Sequence, residues 1–125
     1  MYELAVSREF EATHHLVGGD WGQENQPHSH HYKVEVVLSG ESLDRSGYLT
    51  DITILDHVMD QLVGYSAGKS LNALSEFAGL NPSIEHFSRI WCHSLMKNLK
   101  TRHLNSIKVR IWENEIAWAS YTERL

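Results

Sequence analysis

The sequence predicts an α+β fold, an antiparallel four-stranded sheet with two helices packed on one face. Three observations predict it. Near both ends of the chain apolar residues alternate with polar ones, the period of a half-buried strand. Two central stretches carry apolar residues three and four apart, the period of an amphipathic helix. Glycine and proline cluster mostly between these stretches. Strands, then two helices, then strands is the order of a segregated α+β arrangement. The 125 residues suit one domain spanning 1–125. No repeat, linker or low-complexity tract divides them.

Along the first strand, residues 2–14, Tyr2, Leu4, Val6, Phe10, Ala12 and His14 share one face. Glu3, Ser7, Glu9, Glu11 and Thr13 share the other, with Arg8 and Ala5 as exceptions. Val17 to Pro27 reads as a loop broken by Gly18, Gly19 and Gly22. A second strand from about His28 to Leu38 puts His28, His30, Tyr32, Val34 and Val36 on one face. Ser39 to Gly47 is polar and suits a turn, so a hairpin ending near Leu49 is expected.

Asp51 is a suitable N-cap for the first helix, whose stripe is Ile54, Leu55, Val58, Met59, Leu62 and Val63. Gly64 and Gly68 are expected to end it. After a loop with Gly79 and Pro82, the second helix starts around Ser83 and carries Ile84, Phe87, Ile90, Trp91 and Leu95. Ile107, Val109 and Ile111 then alternate with Lys108, Arg110 and Trp112. The last strand, Ile116 to Tyr121, follows a turn at Asn114-Glu115.

Composition excludes several functions. Hydrophobic residues make up 42% and charged residues 22%, a globular mixture. The net charge is -5 with no basic stripe, which argues against nucleic acid as a partner. No apolar run approaches the roughly 20 residues that span a bilayer, so no membrane role is expected. Met1 to Arg8 lacks the pattern of a signal peptide, and the lone Cys92 cannot form an internal disulfide. A cytoplasmic location is the expectation.

Histidine is abundant, with nine in the chain and five of them at positions 14, 15, 28, 30 and 31. His28 and His30, two apart on a strand, leave the same face and can converge on one ion. His14 ends the apolar face of the first strand, where an unpartnered imidazole costs free energy. Catalytic zinc sites use three protein ligands and keep a fourth position open. His15 and His31 point the other way. By spacing alone, a zinc triad and a set of hydrogen-bonded histidines fit equally well. Glu113 continues the face of Ile107, Val109 and Ile111. It is either a solvated residue beyond the strand or an anchor for two parallel N–H donors, such as those of a pterin or guanine.

With Phe10-Glu11-Ala12-Thr13-His14 and His28-Ser29-His30-His31-Tyr32, the chain resembles the 6-pyruvoyltetrahydropterin synthase and 6-carboxytetrahydropterin synthase family. Phe10-Glu11-Ala12-Thr13-His14 resembles its F-x-A-x-H, and His28-Ser29-His30-His31-Tyr32 its H-G-H-x-Y. Gly47-Tyr48-Leu49-Thr50-Asp51-Ile52 is similar to G-x-[VI]-x-D-F, Leu71-Asn72 to the end of L-D-H-x-x-L-N, and Pro82-Ser83-Ile84-Glu85 to P-T-x-E. Trp112-Glu113-Asn114 stands where the family has Glu-Thr. The motifs follow the family's order over nearly the whole chain.

The resemblance implies a tunnelling fold (T-fold) and a homo-oligomer, a trimer or stacked hexamer, with sites between subunits. It implies that His14, His28 and His30 hold catalytic Zn2+. It also implies that Glu113 anchors a pterin-like ligand, with Ser83 and Ile84 beside it through their backbone.

The chain departs from the family at its acid–base groups. The loop before His28 holds no cysteine, and Ala67 and Gly68 stand at the Asp and His positions. Leu55-Asp56-His57 spells L-D-H but lies within the first helix, so His57 is expected to be solvated there. Cys92 is expected in the core. Glu24 lies four residues before His28, where some members carry the cysteine. It is either a solvated loop residue or a general base whose pKa burial raises. A glutamate there resembles a branch that cleaves the side chain of dihydroneopterin triphosphate to give 6-hydroxymethyl-dihydropterin.

Two functional expectations follow. One is a zinc-dependent lyase acting on dihydroneopterin triphosphate or a related heterocycle with altered chemistry. The other is a catalytically silent homologue that binds zinc and a pterin or purine.

Overall fold

A computed structural model describes all residues from Met1 to Leu125. Strands β1 (Tyr2–His14) and β2 (His28–Gly40) come first, then helices α1 (Ile52–Ser66) and α2 (Ile84–Asn98), then strands β3 (Ser106–Trp112) and β4 (Trp118–Arg124). The strands form one sheet in the order β1-β2-β3-β4, every neighbour antiparallel. This is the expected α+β arrangement. No helix is long and apolar enough to cross a membrane.

Register follows from the apolar alternation. Phe10 pairs with Tyr32 and Val6 with Val36. Across the next ladder Val34, Val36 and Leu38 face Ile111, Val109 and Ile107. A one-residue slip would turn these side chains to solvent, so burial specifies the pairing. The helices cover this face, α1 against β1 and α2 against β3 and β4. Between the layers lies an aromatic cluster. Phe10 stacks on Tyr32 with centroids 5.7 Å apart and on Trp91 at 6.1 Å, and meets Phe87 edge-on.

Arg8, the exception on the apolar side, reaches across to α1. Its Nε donates to Asp60 at 2.8 Å and its Nη2 to Asp56 at 2.9 Å. Those carboxylates raise its pKa further. The polar residue on the helix-facing side is therefore paired with the helix it meets.

Three boundaries differ from expectation. No strand ends near Leu49. Residues 41–50 form turns in which the Asp44 carboxylate accepts from the N–H groups of Ser46 and Tyr48, and Leu49 instead plugs into the core. Helix α1 passes through Gly64 to Ser66, because packing outweighs the roughly 1 kcal/mol that glycine costs a helix. Gly68, at φ 71°, follows the end. Finally, β4 begins at Trp118 rather than Ile116. Asn114 Oδ1 accepts from the N–H groups of Ile116 and Ala117, holding Ile116 in the turn with 91% of its surface exposed.

Candidate metal centre

The β1–β2 ladder builds the site. His14 lies directly opposite His28, and Ala12 opposite His30, so all three imidazoles leave the helix-covered face at one end of the hairpin. His14 is 4% exposed, while His28 and His30 are half-buried. The ring centroids stand 4.5, 4.6 and 5.0 Å apart. Each ring offers one nitrogen, and these nitrogens lie within 4.8 Å of one another.

The donor set fits a metal. His14 Nε2 and His28 Nε2 are 3.0 Å apart. Two nitrogens on a tetrahedral zinc, each about 2.0–2.1 Å from it, stand roughly 3.3 Å apart. His28 Nδ1 lies 2.9 Å from the carbonyl of Gln26. A carbonyl only accepts, so Nδ1 carries the proton and Nε2 presents its lone pair to the centre. Tyr32, fully buried, places its hydroxyl 2.9 Å from His14 Nδ1 and fixes that ring. Burial, then the neighbouring His30 and His28, pushes the His14 pKa down to about 4, so its imidazole is neutral at pH 7, the form a metal would bind. Burial, with Glu113 nearby, pushes Tyr32 far above its usual range, so its hydroxyl stays protonated. Three imidazoles suit a borderline transition metal better than calcium or magnesium.

Beside the triad is a cleft of about 210 Å³. Its walls include His14, His30, Glu24, Ser83, Ile84 and Glu113. The fold thus gathers these residues from β1, β2, α2 and two loops. His28 completes the triad without lining the cleft. Ser83 caps α2, its Oγ accepting from His86 N–H at 3.1 Å. The N–H groups of Ile84 and Glu85, in the first helical turn, have no intrahelical acceptor. Glu113, just past β3, is half-buried and also borders a wider cleft of about 640 Å³ shared with Lys33 and Trp112.

Glu24 sits in a 3-10 turn, Gly22–Asn25, and is exposed. The burial expected of a general base at this position is absent in a single chain. Other expectations hold. His31 lies on the open face between Glu9 (3.1 Å) and Glu11 (3.7 Å). His57 is exposed on α1. Cys92 is fully buried, which pushes its thiol up to about 11 and removes it as a nucleophile. Sequence reasoning missed Glu85, which also lines the cleft, and the orienting role of Tyr32. The signal for Tyr32 was its place on the His28–His30 face of the strand.

Comparisons with known proteins agree with this geometry. A family model described as 6-pyruvoyl tetrahydropterin synthase matches residues 3–124. An Archaeoglobus fulgidus protein, provisionally named 6-carboxy-5,6,7,8-tetrahydropterin synthase, is 28% identical over 116 residues, covering 93% of this chain and 91% of that protein. The Caenorhabditis elegans 6-pyruvoyl tetrahydropterin synthase structure superposes with a TM-score of 0.84 at 21% identity, over 98% of this chain and 95% of that one. A Plasmodium vivax 6-pyruvoyltetrahydropterin synthase gives 0.82 at 17% identity, over 99% and 98%. The four-stranded sheet with two helices is the fold of these synthases, and the chain belongs to the 6-pyruvoyl tetrahydropterin synthase family.

Proposed function

We propose that this protein is a zinc-dependent lyase that processes a pterin, dihydroneopterin triphosphate or a related heterocycle. The carrying observation is the single cleft that joins His14, His30, Glu24, Ser83, Ile84 and Glu113. His14, His28 and His30 hold the ion. Bound there, zinc supplies a Lewis acid that polarises a hydroxyl or carbonyl oxygen. Glu113 accepts the amino and ring N–H of the pterin, and the first-turn N–H groups of Ile84 and Glu85 serve its acceptors, because the Ser83 N–H expected there beside Ile84 already donates to the Asn81 carbonyl at 2.9 Å. Glu24 takes the proton of a side-chain hydroxyl as the adjacent carbon–carbon bond breaks; the hydroxyl carbon departs as an aldehyde and the bonding pair stays on the carbon attached to the ring. Glu24 returns that proton to this carbon.

The ordinary synthase apparatus is not available. Cys92 is buried in the core, and Gly68 donates its N–H to the Glu11 carbonyl at 2.7 Å, a purely structural bond. A glutamate in this role has support from a neighbour, since the Plasmodium vivax variant replaces a glutamate that is named a catalytic residue. In this reading the chain works as one domain in the cytoplasm. It assembles as a trimer or stacked hexamer, for which β4 and the first part of β1, before the residues that pair with 68–70, offer open sheet edges.

The test is turnover of dihydroneopterin triphosphate by the zinc-loaded protein, with product analysis. Glu24→Ala is expected to lower the rate by about 100-fold or more, the usual worth of a general base. Equal rates in the two proteins overturn the role of Glu24. The exposure of Glu24 favours a second reading, a silent zinc- and pterin- or purine-binding homologue. It predicts saturable binding that Glu113→Ala weakens, with no product.

A further inference from the structure

Residues 15–27 join two of the three proposed ligands, His14 at the end of β1 and His28 at the start of β2. Backbone groups in such connections commonly turn to water. Here every backbone N–H and C=O of residues 15–17 has a protein partner. Asn72 Oδ1 accepts from His15 N–H at 3.0 Å, and its Nδ2 donates to the His15 carbonyl at 2.9 Å. Asn81 treats Val17 in the same way, at 2.7 and 3.1 Å. On the other edge Leu16 N–H donates to the Glu24 carbonyl at 2.8 Å, and Asn25 Nδ2 donates to the Leu16 carbonyl at 3.1 Å.

A side-chain amide carries one carbonyl and one NH2 group, the donor and acceptor of a peptide. Asn72 and Asn81 therefore stand in for strand residues. They extend a pairing that begins upstream on the same edge of β1. There Gly68 N–H donates to the Glu11 carbonyl at 2.7 Å and Thr13 N–H to the Lys69 carbonyl at 3.0 Å. Residues 11, 13, 15 and 17 are thus met in turn by backbone, backbone, Asn72 and Asn81. Both amides have firm bases. Asn72 follows the fully buried Leu71, and Asn81 precedes Pro82 and the capped start of α2.

We infer that Asn72 and Asn81 are positioning residues of the metal centre: by pinning residues 15–17 they hold His14, His28 and the Glu24 turn in register. The inference rests on the triad being the metal site. Residue 15 is fixed directly after His14, and Leu16 is tied to the backbone of Glu24. Without the two amides the connection loses four bonds, and the ion must then order it on binding.

The test uses the full chain with Asn72→Ala, Asn81→Ala and Asn81→Asp. Two quantities are read: amide hydrogen exchange of residues 15–27 in metal-free protein, and the zinc Kd by competition with a chromophoric chelator. Both alanine variants are expected to speed exchange in residues 15–27 at least several-fold while β2 and β3 stay protected. They should raise the zinc Kd about tenfold, the low end for an outer-shell partner. Asn81→Asp keeps the acceptor for Val17 N–H and loses the donor, so it should fall between wild type and Asn81→Ala, and it serves if an alanine variant does not fold.

Unchanged exchange overturns the clamp. Faster exchange with unchanged zinc Kd overturns its positioning role. His14→Ala separates the underlying reading, since it should abolish tight zinc binding. Wild-type protein without zinc affinity, or His14→Ala that binds as wild type does, overturns the metal assignment and the positioning role with it.

Discussion

As a metal ligand His14 would meet two demands at once: it must be buried to reach His28 and His30, and it must stay neutral to donate a lone pair. Burial and the two neighbouring imidazoles satisfy the second demand by lowering its pKa to about 4. The Tyr32 hydroxyl satisfies the orientation requirement. Tyr32→Phe keeps the ring in the aromatic cluster and removes only that oxygen. It is expected to raise the zinc Kd about tenfold, read by chelator competition, while the fold is retained. The candidate ligands were legible from the sequence because strand periodicity places alternate residues on one face. The exposure of Glu24 was not legible, because a loop has no period from which burial can be read.

Among the elements, α1 shows how a local signal and a tertiary one divide the work. Asp51 caps it, its carboxylate accepting from the Thr53 hydroxyl at 2.6 Å and the Thr53 N–H at 2.9 Å. Those bonds hold the Asp51 pKa below its ordinary value of 3.8. The ionised form is favoured in the folded state, so the stabilisation is full above pH 3.8 and fades as pH falls through the lowered native value. Asp51→Ala should therefore unfold at lower denaturant than wild type at pH 6, with the gap closing toward pH 2. A gap that persists unchanged to pH 2 contradicts the cap. The start of α1 was readable from this cap, whereas its end was not. Gly64 is a local stop signal that packing of Leu62 and Val63 against the core overrides.

The whole molecule couples the core to the site through one aromatic stack. Phe10 touches Tyr32, Phe87 and Trp91, and Tyr32 touches His14. Phe10→Ala is expected to cost about 3–5 kcal/mol of stability, the usual range for a buried phenylalanine. That is a large share of the roughly 5–15 kcal/mol that holds a domain folded. Because Tyr32 then loses its stacking partner, zinc affinity should fall as well, in contrast to Val58→Ala on the buried face of α1. Chemical denaturation and chelator competition on the two variants check both statements.

The amino-acid sequence by itself determined the class of fold, the faces of the strands, the helix starts and the histidines that can converge. Each of these rests on local chemistry: a period of two or of 3.6, a capping side chain, or the spacing of ligands on one strand. Only the tertiary structure decided that Glu24, Glu113, Ser83 and Ile84 share one cleft with His14 and His30. It alone placed Asn72 and Asn81 against residues 15 and 17, at sequence separations of 57 and 64. Contacts at such separations depend on how the sheet and helices pack, and no local pattern encodes them. The candidate histidine triad is thus joined to its surroundings by long-range hydrogen bonds that only folding creates.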